Sequence, residues 1–180
     1  NSFQNEDYWG VSEIAWSPDW SKLATLVYAQ DTDLWDVNTG VLLKTLHVKG
    51  HSISWSPDGK KLGVDGAIWD ITGDTLLKSL IGTSGVNEIA WSPDGTKIAT
   101  ANSDKTATIC DGNTGALIHK LIGHTGVVYS ISWSPDGKEI ITGSADRTIK
   151  IWNAVTGALI RTINGHTNNM YAVAGGPDGR

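Results

Sequence analysis

The chain has 180 residues, the length of one domain, with 14 Lys and Arg against 19 Asp and Glu for a net charge of −5. That balance supplies no basic footprint for nucleic acid. Its apolar runs fall far short of the ~20 residues that cross a bilayer, and a single cysteine, Cys110, leaves no internal disulfide. Nine Trp and 21 Gly instead suit a turn-rich β protein with large side chains at fixed packing points.

After a lead over 1–10, the chain reads as units with one internal order. Unit one, 11–49, holds "WSPDW" at Trp16–Trp20. Unit two, 50–82, holds "WSPDG" at Trp55–Gly59. Unit three, 83–123, repeats it at Trp91–Gly95, and unit four, 124–165, at Trp133–Gly137. A worn copy, "GGPDG", falls at Gly175–Gly179 in the last stretch, 166–180. The motif's proline recurs at 18, 57, 93, 135 and 177, a period near forty, which is the mark of a propeller blade array. In unit four "GVVYSISW" alternates as a half-buried strand, "SPDG" is a tight turn, and "KEIITGSAD", "RTIKIWN" and "ALIRTI" are three further strands. In "RTIKIWN" the alternation sets Ile149 and Ile151 inward and Lys150 and Trp152 outward. No segment has a capped helical period, so the prediction is all-β, with four-stranded antiparallel blades.

The units resemble WD repeats of the β-propeller family, in the regular bacterial style. The likeness is carried by Gly123-His124, the WSPDG turn, Thr142–Asp146, Ile151-Trp152 and Thr156-Gly157. It implies a structural tetrad of His124, Thr142, Asp146 and Trp152 in unit four. Unit three keeps Thr100 and Asp104 but has Cys110 in place of Trp, so Cys110 reads as a core residue. Unit one keeps Thr25 and Trp35 but has Ala29 at the Asp position. Unit two is short: Pro57 to Trp69 spans 12 residues against 17 in the other three, so its second and third strands are clipped or joined by a minimal turn. His51 stands four residues before Trp55, as Tyr129 does before Trp133, and reads as a strand residue outside any tetrad. The tryptophans of the motif, Trp16, Trp55, Trp91 and Trp133, read as packing between blades, and Trp9 and Trp20 are off pattern.

Rings of this family usually have seven or eight blades. Four blades and an orphan strand would leave two faces open, so the expectation is a ring-closing partner: a second copy, or more of a longer propeller chain. No metal or cofactor is expected. The five histidines lack metal-ligand spacing, "DTD" at Asp31–Asp33 lacks the rest of a calcium loop, and no phosphate loop or nucleophile elbow is present. No inward-facing acid is expected at one register in several blades, which argues against an enzyme. The family likeness implies protein or peptide binding at the rim of the channel, without nucleic acid or membrane, in a cytoplasmic setting. By position the rim would hold Ser12, Tyr28, Lys49, His51, Asn87, Ser103, Val127, Tyr129, Asn169 and Tyr171. A mixture of tyrosines and amides suits a protein segment. A lectin-like propeller for a glycan or small ligand is the alternative. It would want the same aromatic in every blade, where this chain has Ser12, His51, Asn87, Tyr129 and Tyr171.

Overall fold

The computed structural model describes residues 10–27, 31–164 and 168–174. Sixteen strands form four antiparallel sheets, each a meander in chain order. The first holds β1 (Val11–Trp16), β2 (Lys22–Val27), β3 (Thr32–Asp36) and β4 (Leu42–Leu46). The second holds β5 (Ile53–Trp55), β6 (Lys61–Val64), β7 (Ala67–Asp70) and β8 (Thr75–Ser79). The third holds β9 (Val86–Trp91), β10 (Lys97–Asn102), β11 (Thr106–Asp111) and β12 (Leu117–Ile122). The fourth holds β13 (Val128–Trp133), β14 (Glu139–Ser144), β15 (Ile149–Asn153) and β16 (Leu159–Ile163). The described residues contain no helix, and the four blades do not close a ring.

The repeated motif is a turn whose serine does the fastening. Ser17, Ser56, Ser92 and Ser134 each donate a hydroxyl to the Asp two residues on, at 2.6, 2.6, 2.6 and 2.7 Å. The same oxygens accept the amides of Lys22, Lys61, Lys97 and Glu139. The fifth position is left-handed, with φ of 68°, 70° and 69° at Gly59, Gly95 and Gly137, which glycine adopts freely. Trp20 takes this position in the first blade with φ 60° and is mostly exposed, its ring 5.4 Å from that of Trp16.

Neighbouring blades pack face to face through their first strands, and each seam has its own apolar core. Trp55, Trp91 and Trp133 are buried in these seams, whereas Trp16 is 43% exposed because no described blade lies on its side of β1. The sequence reading of Trp16 as seam packing is thus corrected. Two of the buried indoles also cross the seam: Trp55 Nε1 donates to the Ala15 carbonyl at 2.9 Å and Trp133 Nε1 to that of Ala90 at 3.0 Å. Trp91 Nε1 is buried without a partner, and Lys61 Nζ lies 5.8 Å from its ring. β15 alternates as expected but with its faces reversed, so the in-and-out reading is also corrected. Lys150 and Trp152 are buried, with Lys150 Nζ donating to Thr162 Oγ1 at 2.9 Å, while Ile149 and Ile151 are half-buried.

A second bond repeats at every seam. The amide two residues before the tryptophan position donates to a side chain of the preceding blade, three residues before its own tryptophan position. Ile53 N reaches Glu13 Oε2 at 2.9 Å, Ile89 N reaches Ser52 Oγ at 3.1 Å, and Ile131 N reaches Glu88 Oε2 at 2.5 Å. Val173 N reaches Ser130 Oγ at 2.9 Å in the same way. Residues 168–174 form no ladder but lie against the fourth blade through this bond and Met170 N to the Ser144 carbonyl. Glu13 and Glu88 therefore stand at one register on the first strands of two blades, each carboxyl facing the next blade across a seam. Both carboxyls are raised above the usual range, chiefly by burial. Glu13 is pushed up to about 7, with the carboxylates of Glu88 and Asp65 adding to the effect of burial.

Candidate functional site

The fourth blade holds a closed chain of hydrogen bonds. Trp152 Nε1 donates to Thr142 Oγ1 at 2.9 Å, the Thr142 hydroxyl lies 2.8 Å from His124 Nε2, and His124 Nδ1 lies 2.8 Å from Asp146 Oδ2. Burial holds His124 below its usual value, against the pull of Asp146, so the ring is neutral near pH 7. A neutral ring with its proton on Nδ1 donates to Asp146 and accepts from Thr142, so every member is satisfied. Burial alone would raise Asp146, but the Thr148 hydroxyl, the Thr125 amide and His124 hold it well below the carboxylate range. The set sits inside a blade with its histidine and threonine buried, which suits a staple and leaves no path for a substrate.

The other blades keep only parts of this chain. In the first, Trp35 Nε1 donates to Thr25 Oγ1 at 2.9 Å, and the position of Ala29 lies outside the described residues. In the third, with Cys110 in place of the indole, Thr100 turns to Thr108 Oγ1 at 2.6 Å and Asn102 Oδ1 at 3.0 Å. Cys110 is buried, and burial pushes its thiol up to about 11, so it is an inert core residue. In the second, strand pairing puts Val64 where Thr142 and Thr25 stand, and Trp69 Nε1 is buried without a partner.

The second blade departs further at its upper edge. β6 and β7 are joined by two residues, Asp65 and Gly66, both with positive φ, 44° and 83°. This is the tight hairpin geometry that an Asp-Gly pair favours. His51 is not a strand residue: it lies two positions ahead of β5 at a bend. There its amide and that of Ser52 donate to Asp65 Oδ1 at 2.6 and 3.0 Å, and its Nδ1 lies 3.0 Å from Asp65 Oδ2. The shortened hairpin brings Asp65 to His51, a pairing that spacing from Trp55 did not reveal.

Beside this hairpin opens a shallow cleft of about 420 Å³, lined by His51, Asp65, Thr83, Gly85, Val86, Asn87 and Ser103. Three rim residues expected from the sequence, His51, Asn87 and Ser103, meet here. Ser103 Oγ donates to Asn87 Oδ1 at 3.2 Å, and Asn87 Nδ2 donates onward to the Val128 carbonyl at 2.8 Å. A second group gathers on the next blade. The rings of Tyr129 and Tyr171 are 5.1 Å apart, Tyr171 is 68% exposed, and Asn169 Nδ2 donates to the Tyr171 hydroxyl at 3.2 Å. Val127 is half-buried and its carbonyl accepts the Ala145 amide. Ser12 and Lys49 are exposed outside the cleft lining, Ser12 donating to the Leu26 carbonyl, and Tyr28 lies outside the described residues. Asp65, Glu13 and Glu88 are the notable residues that the sequence reading passed over. An Asp-Gly pair between two short apolar runs was the available signal for the first.

The family model described as "WD domain, G-beta repeat" matches residues 74–111 and 115–153. Those stretches are matched as WD repeats, which supports a WD-repeat family. The chain is also similar to a WD repeat-containing protein WDS homolog of Arabidopsis thaliana, 44% identical over 57 residues, which cover 29% of this chain and 11% of that protein. The chain thus spans about a tenth of the relative it matches. The two matched stretches take in β8 to β11 and β12 to β15, so they cover the third blade and most of the fourth. WD repeats typically mediate binding between proteins and are typically without catalysis of their own. Among the described residues no group of three or more His, Cys, Asp or Glu could hold a metal ion.

Proposed function

We propose that this WD-repeat chain is a non-enzymatic scaffold that presents its upper rim to a protein or peptide segment. The observation that carries the reading is the pair of rim groups on adjoining blades, linked by Asn87. One is a polar cleft and the other an exposed tyrosine pair, the mixture that protein recognition favours. The test is photocrosslinking from two positions in cells. A benzoylphenylalanine replacing Tyr171 is expected to capture a protein partner that one replacing Val155, an exposed residue after β15, does not. Equal capture from both positions, or capture from Val155 alone, would overturn the assignment of the rim.

The same reading has a second copy closing the ring. Its support is the exposed side of β1, where Val11, Ile14 and Trp16 are uncovered although the equivalent tryptophans of the other blades are buried. Light scattering on a sizing column is expected to give about twice the 19.2 kDa chain mass. A single-chain mass at micromolar concentration would remove the second copy and leave the rim reading in place.

A further inference from the structure

The cleft beside the Asp65–Gly66 turn gathers a carboxylate and two hydroxyl oxygens. Its hydroxyl protons are already spent inside the protein: Ser103 donates to Asn87 Oδ1, and Thr83 donates to the Leu80 carbonyl at 3.4 Å. The Asn87 amide is turned to the Val128 carbonyl. The His51 ring faces Asp65 with Nδ1. These bonds leave the lone pairs of Ser103 and Thr83 beside the Asp65 carboxylate. Asp65 is held in place by two backbone amides, and its side chain is only 25% exposed. A carboxylate fixed in this way cannot turn to follow water, and it favours a ligand that brings both protons and positive charge.

The cleft exists because the second blade is short. Its hairpin turns in two residues, where the equivalent loops of the third and fourth blades run from Asn102 to Thr106 and from Ser144 to Ile149. The missing residues would stand over this edge. At about 420 Å³ and open to solvent, the cleft has room for a long side chain projecting from a larger partner.

We infer that this cleft receives a lysine or arginine side chain projecting from the bound protein segment, with Asp65, Ser103 and Thr83 as its acceptors. The inference rests on the proposed rim-binding function and names the chemistry of its ligand. An arginine is the better fit, since its planar fork can meet the carboxylate and a hydroxyl together. A glutamate would set its charge against the Asp65 carboxylate and is disfavoured.

The test uses the full chain and three capped peptides, acetyl-GGRGG-amide, acetyl-GGKGG-amide and acetyl-GGEGG-amide, followed by amide NMR shifts. The arginine and lysine peptides are expected to move the resonances of Asp65, Gly85, Asn87 and Ser103 at millimolar concentration, and the glutamate peptide to leave them in place. Asp65→Asn is expected to weaken arginine-peptide binding at least fivefold, and added salt to weaken it in the unaltered chain. Asparagine tolerates the left-handed backbone at this turn, so the variant keeps the hairpin, which its NMR spectrum and melting temperature verify. Equal response to the glutamate peptide, no cleft response to any peptide, or unchanged affinity in Asp65→Asn would each overturn the inference. Crosslinking from Tyr171 that persists in Asp65→Asn would show that the rim reading stands when this one falls.

Discussion

Glu13→Gln is expected to flatten part of the pH dependence of stability. Glu13 sits at the first seam, accepting the Ile53 amide, with Ser52 Oγ 3.5 Å away and Glu88 and Asp65 as the charged groups acting on it from the next two blades. Its folded value, about 7, lies above the unfolded value of 4.5, so the folded chain holds a proton that the unfolded chain releases first. The stability this gives is complete below pH 4.5 and is lost as pH rises through 7. His124 works in the opposite sense: its folded value is lowered, so its contribution grows as pH rises towards the usual histidine range. The difference between unaltered and Glu13→Gln chains therefore isolates the carboxyl. That difference is expected to move in favour of the glutamine chain by about 1–3 kcal/mol between pH 5 and pH 8, the lower figure allowing for partial exposure. Thermal melts at half-unit intervals check this as several degrees of melting temperature. Parallel curves for the two chains would show that Glu13 keeps an ordinary carboxyl in the fold.

Thr142→Val is expected to cost about 2–4 kcal/mol, because one hydroxyl serves two buried partners. The replacement is nearly isosteric, so little packing is lost, but Trp152 Nε1 and His124 Nε2 both lose the group they bond. The second blade already displays this outcome: Val64 stands at the equivalent place and Trp69 Nε1 is unpartnered. The reciprocal change, Val64→Thr, is therefore expected to return about 0.5–1 kcal/mol. Urea unfolding of both variants decides the matter. A Thr142→Val chain within about 0.5 kcal/mol of the unaltered one would mean that the four-residue chain of bonds contributes little.

The blade order, the motif turn and the four residues of the fourth-blade staple were legible because each rests on side-chain chemistry at a fixed offset. Ser134 with Asp136, and Thr142 with Trp152, can be paired by counting. The seams were less legible because half of each bond is backbone. Nothing in the residue type of Ala15 or Ala90 announces that its carbonyl accepts an indole proton. The acceptor series Glu13, Ser52, Glu88 and Ser130 shares a role without sharing a residue type, so no motif marks it. His51 was misplaced because counting from Trp55 assumes an unbroken strand, whereas the Asp65–Gly66 turn draws the preceding chain aside. The faces of β15 were misjudged because the isoleucines were taken as the inward set, whereas hydrogen bonds to Thr142 and Thr162 let Trp152 and Lys150 take the buried face.

In the two repeated seam bonds, the donors lie on the side of a blade facing its predecessor and the acceptors on the side facing its successor. Trp133 Nε1 and the Ile131 amide point back to the third blade, and Ser130 Oγ serves the residues that follow the fourth. Both halves of a junction are thus encoded within every unit of about forty residues. A gene segment copied in frame would produce a blade that already fits on either side, and one removed would leave neighbours that still match. The polarity of the seam makes this a fold that can lengthen by tandem duplication, with drift such as that in the second blade confined to the unit where it arises.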